Sequence, residues 1–142
     1  MSLGDHLAYL EAELAAARAA PLSSRKAMLV AMLTDAYADR LFAEQDETDD
    51  ILVFRDLVAA RSPELALVFA LARGDVRLTT AAMTVPIAEY GQLGVEDFMV
   101  SLYNQDSVQR VFIMTSDGRR QLAHDVLAGA IDAVRRYAWP AA

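Results

Sequence analysis

Side chains able to do acid–base, nucleophilic or metal chemistry are scarce in these 142 residues. There are two histidines, His6 and His124, one lysine, Lys26, and no cysteine. Without cysteine there are no disulfides, thiolate metal sites or cysteine nucleophiles. Lys26 alone is open to lysine chemistry such as a Schiff base. His6 stands between Leu3 and Leu10, beside a run of leucines. It reads as a boundary histidine, one edge packed and one wet, ahead of a metal ligand or a base paired with Asp5 or a distant acid. His124 falls on the polar side of the last helical stretch, beside Asp125. Adjacent helical residues point about 100° apart, so the two do not pair, and His124 is expected at the solvated surface. No G-x-S-x-G elbow, G-x-x-x-x-G-K-[ST] loop or G-x-G-x-x-G turn occurs. No catalytic residue, cofactor or metal ligand is therefore assigned.

Two short segments hold the remaining polar candidates. Thr115-Ser116-Asp117-Gly118-Arg119-Arg120 is expected to join a strand to the last helix. Exposed amides there, with two guanidinium groups, suit a phosphate or carboxylate. Ser116, Gly118, Arg119 and Arg120 are the candidate anion-binding residues, with Tyr90, Tyr103 or Arg110 nearby. The competing reading is an ordinary tight turn capped by Ser116 or Asp117. The second segment, Gln45 to Asp50, is acidic. It sets Asp46, Thr48 and Asp50 at alternating places, as in a calcium loop, but Ile51 takes the position that needs glycine. A connector that caps the next helix, through Thr48 or Asp49, is the better reading.

The elements that must position these groups follow from periodicity. Leu3, Leu7, Leu10, Leu14 and Ala17 make one helical stripe, ended by Pro21. A second helix starts after Ser23 or Ser24 and runs to about Glu44. Its early part, Ala27 to Leu33, is apolar all round and must be covered on several sides. Ile51 to about Ala60 forms a third helix, apolar on more than one side. Ser62-Pro63-Glu64 opens a fourth, which Gly74 closes after Arg73. Val76 to Val85 is rich in β-branched residues and reads as a strand. Residues 95–104 fit either a helical stripe or a strand hairpinned to Ser107–Thr115, and the hairpin is preferred. Its inner face would hold Phe98, Val100 and Leu102 with Val111 and Ile113. Leu122, Val126, Leu127, Ala130, Ile131, Val134 and Ala138 then form a continuous stripe.

The expected fold is a single α+β domain over 1–142, mainly helical. It has four N-terminal helices, a small antiparallel sheet of two or three strands (about 76–85, 97–104 and 107–115) and a long C-terminal helix (about 119–138). Thirteen basic against twenty acidic residues give a net charge of −7, which opposes the counterion release that nucleic-acid binding needs. No apolar run approaches the roughly 18 residues of a membrane span. The first acids, Asp5, Glu11 and Glu13, do not resemble a targeting segment, so the cytoplasm is the expected compartment. Hydrophobic residues make up 55% of the chain, and three helices each ask for cover on more than one side. That is more apolar surface than one domain this size readily hides. The expected function is a non-enzymatic interaction module, a homodimer joined through apolar helical surface, with a protein partner as a further possibility. The alternative is a small-ligand or anion-binding protein, or an enzyme, that uses Ser116–Arg120.

Overall fold

The computed structural model describes residues 2–44, 50–84 and 107–138. Four helices precede a three-stranded sheet, and a fifth helix closes the chain: α1 Leu3–Ala19, α2 Ser24–Ala43, α3 Ile51–Arg61, α4 Pro63–Arg73, β1 Arg77–Thr84, β2 Ser107–Met114, β3 Arg120–Leu122 and α5 Ala123–Ala138. This is the expected mainly helical α+β architecture.

Local chemistry sets the helix ends. The Ser2 hydroxyl accepts from Asp5 N at 3.1 Å, and Ser2 N donates to the Asp5 carboxylate at 3.0 Å. This reciprocal box satisfies two otherwise orphaned amides. Its backbone and hydroxyl hydrogen bonds from Ser2 hold the Asp5 carboxyl below its ordinary pKa. Ser23 caps α2 by accepting from Lys26 N, and Ser62 caps α4 with Pro63 in its first turn. Gly74 ends α4 at φ 85°, a backbone conformation that costs glycine little. Asp75 N then donates to Ala70 O at 2.8 Å and closes the last turn. The cap of α3 differs from expectation. It is Asp50 that accepts from Leu52 N, at 2.8 Å, while Thr48 and Asp49 lie outside the described residues.

The sheet is antiparallel throughout, in the order β1-β2-β3. β1 pairs with the whole of β2, from Arg77 opposite Met114 to Thr84 opposite Ser107. The third strand is not the expected one. Residues 120–122, read as the start of the last helix, instead pair with 112–114, and α5 begins only at Ala123. Both edges of Phe112, Ile113 and Met114 are thus occupied by β1 and β3. The expected strand at 97–104 lies outside the described residues.

The core forms where helices and sheet meet. Leu10 and Leu14 of α1, Val30 and Tyr37 of α2, Leu65 and Val68 of α4 and Leu127 and Ile131 of α5 pack with Val111 and Ile113 of β2. α2 is central, in contact with α1, α3, α4, α5 and β1. α4 and α5 approach closely at Gly129, where a Cβ would meet Glu64 Cγ at 2.8 Å. No helix among the described residues is long and apolar enough to cross a membrane.

α3, apolar on more than one side, is covered by its own chain on one. Only Phe54 and Val58, one turn apart, are buried. Leu52 (65% exposed), Val53 (60%) and Leu57 (47%) face outward.

Candidate functional site

The Ser116–Arg120 segment is the tight turn between β2 and β3, not a helix start. Thr115 N donates to Arg119 O at 2.9 Å and Gly118 N donates to Thr115 O at 3.1 Å. Gly118 takes φ 83°, the left-handed conformation that the turn requires. Asp117 folds back inside: its carboxylate accepts from the Thr115 hydroxyl, and from Arg119 N at 3.2 Å. Those two bonds, the Thr115 one first, pull its pKa below the ordinary value. The Arg119 guanidinium also lies 3.4 Å from Asp117. The amides of Gly118 and Arg119 are thus satisfied within the turn, and the carboxylate beside Arg119 belongs to the chain.

The four candidate residues do not converge. Ser116 and Gly118 border an open depression of about 440 Å³ beside Gly74–Arg77. Arg119 pairs with Asp117, and Arg120 stacks its guanidinium 5.0 Å above the Phe112 ring. The turn supplies no helix dipole.

Both histidines are buried. His6 Nε2 lies 3.0 Å from Leu33 O, and its Nδ1 lies 3.4 Å from Arg40 Nη1. A carbonyl only accepts and a guanidinium only donates, so these contacts select the tautomer with hydrogen on Nε2. The ring also meets Tyr37 edge-on, with centroids 5.2 Å apart. His6 therefore joins α1 to α2, and the expected wet edge is taken by Arg40. His124 overturns its expectation outright. It is 9% exposed, and its Nε2 has no hydrogen-bond partner among the described residues. Burial pushes its pKa down, with Arg110 and Arg18 adding to the effect and Asp125 opposing it. Among the described residues, no three His, Asp or Glu side chains converge on a metal position.

A feature not singled out in the sequence organises the helical face. Met28, Met32, Asp35 and Asp39 recur along α2 at steps of four, three and four, which is one stripe. At its C-terminal half the Arg55 guanidinium, from α3, contacts Asp35 Oδ1 at 2.8 and 3.0 Å, Asp35 O at 3.2 Å and Asp39 Oδ1 at 3.3 Å. Its other face lies 4.5 Å from the centre of the Phe69 ring on α4. One arginine thus ties three helices together. Burial holds the Asp35 carboxyl above its ordinary pKa, although Arg55 pulls the other way.

At the N-terminal half the same stripe is open. Met32 is 56% exposed and Leu29 42%. With Met28, Leu71, Val76 and Leu78 they line an open groove of about 660 Å³. Arg25 and Arg77 also border it. Apart from Ser24, Arg25 and Arg77 the lining is apolar, which suits an apolar surface.

Compared with known families, characterised proteins and solved structures, the chain shows no significant match.

Proposed function

We propose that the protein is a non-enzymatic interaction module that self-associates as a homodimer through the apolar surface of α2 and α3. The observation that carries this reading is the exposure of Leu29, Met32, Leu52, Val53 and Leu57 on neighbouring helices. Scattered surface apolar residues are ordinary, but several on adjacent helices, beside an apolar groove, are usual at interfaces. His6 and Arg55 connect helices through their contacts with α2. The cytoplasm is the compartment this reading assumes. An anion at Ser116–Arg120 is the weaker reading, because Asp117 already occupies the turn. Sedimentation at micromolar concentration tests the proposal. The expected species has twice the 15.5 kDa chain mass. A single-chain mass across the concentration range overturns the proposal.

A further inference from the structure

We infer that the dimer is reciprocal, with α3 of each copy seated in the α2 groove of the other. The inference rests on the self-association reading and adds the two surfaces that meet.

One surface is the outward face of α3. Leu52, Val53, Asp56, Leu57 and Ala60 fall within about 140° of one another at 100° per residue. Asp56 lies between the apolar side chains as the only charge in that face, and it has no ion-pair partner among the described residues. The other surface is the groove. Its floor is apolar, and Arg25 and Arg77 border it, again without ion-pair partners among the described residues. An apolar helix face centred on one carboxylate therefore matches an apolar groove flanked by two guanidinium groups. The chain carries a net charge of −7, so two copies repel on average. Opposite local charges at the contact offset that repulsion, and this pairing provides them.

Placement on the fold favours a second copy over another partner. Arg55 holds α3 against the C-terminal half of the α2 stripe, and the groove lies along the N-terminal half. The full stripe, Met28 to Asp39, spans about 16 Å at the rise of an α-helix. A two-fold axis crossing α2 near its middle brings each α3 over the other copy's groove. Both contacts then form together, and the assembly closes at two chains.

Charge reversal tests this. One variant carries Arg25→Glu and Arg77→Glu, the other Asp56→Arg. All three positions are exposed, so both variants are expected to keep the helical circular dichroism of the parent and, in protein diluted until it is monomeric, its melting point. Each alone is expected to weaken dimerisation at least about tenfold, because both contacts lose their opposite charges. An equimolar mixture should recover dimer within about twofold of the parent, because a mixed pair again has opposite charges at both contacts. A parent dimer that survives both reversals, or weakened variants that fail to rescue each other, overturns the docking and leaves self-association standing. So does a groove protected from surface labelling by another part of the same chain while the protein is still dimeric. A monomeric parent removes both readings.

Discussion

The outer stripe of α2 is closed at one end and open at the other, and the two ends differ in what they carry. The C-terminal half presents Asp35 and Asp39, which are met by Arg55. The guanidinium answers two carboxylates and a carbonyl, and it lays its flat face on Phe69. That set of directional contacts fixes one position for α3. The N-terminal half presents Met28, Leu29 and Met32, which are more hydrophobic, and yet Leu29 and Met32 stay 42% and 56% exposed. Hydrophobicity alone did not draw α3 across it. Polar partners decided where the helix sits, and the apolar half was left as a groove. An apolar stripe in a sequence thus reports a need for cover without saying which element, or which chain, supplies it.

The largest effect should come from breaking the closed half. Arg55→Ala leaves Asp35 partly buried without its counter-charge and uncovers Phe69. Removing one partner of a fully buried pair costs about 3–5 kcal/mol. Arg55 and Asp35 keep 18% and 28% of their side-chain surface exposed, so about 2 kcal/mol is the expected loss in urea denaturation. Arg55→Lys should recover only part of it, because an ammonium lacks the planar fork and the stacking face. A loss within error for Arg55→Ala would mean that α3 is held by Phe54 and Val58 alone, and the contrast between the two halves would disappear.

His124 extends the comparison to a buried polar group without a partner. Its folded pKa lies below the ordinary 6.5, so the unfolded chain binds the proton more readily. Stability is therefore highest above pH 6.5 and falls as pH drops toward the folded pKa. His124→Leu should remove that dependence and raise stability at pH 7 by about 1 kcal/mol, because an unsatisfied nitrogen is exchanged for an apolar side chain. Melting curves between pH 5 and 8 check both. An unchanged slope would assign the acid loss to other groups.

Much of the fold was legible because its signals are local. Ser23, the Ser62-Pro63 pair and Gly74 act on amides and carbonyls a few residues away, and they mark the helix ends as expected. The stripes of α1 and α5 needed only a period of 3.6. What escaped was non-local or short. Arg55 looks like one surface charge in an apolar helix, because its partners lie 16 and 20 residues back on another element. Arg120-Gln121-Leu122 carries no strand signature, and only pairing with Phe112–Met114 makes it a strand. That strand moves the start of α5 to Ala123, and His124 enters the first turn beside the sheet, where helical period does not predict burial. For α3 the period showed apolar residues on more than one side, but not that Phe54 and Val58 would be covered by the chain while Leu52 and Val53 would not. The turn at 115–119 was read for its donors, but Arg119 N is taken by the side chain of Asp117 and Gly118 N by Thr115 O.

The smallest expected effect makes the sharpest test of the open half. Met32→Ala shortens a side chain in the same stripe as Asp35, one turn away. Truncating a buried methionine costs about 2–5 kcal/mol. At 56% exposure Met32 loses few neighbours, and alanine is the better helix former. In protein diluted until it is monomeric, the urea midpoint should therefore correspond to a change below about 0.5 kcal/mol. At concentrations where the dimer forms, the same substitution should lower the melting point, because the cost then falls on the contact between chains. A loss near 2 kcal/mol in the dilute monomer would show Met32 covered by its own chain. Both halves of the α2 stripe would then be closed, and the groove would be no surface for a second copy.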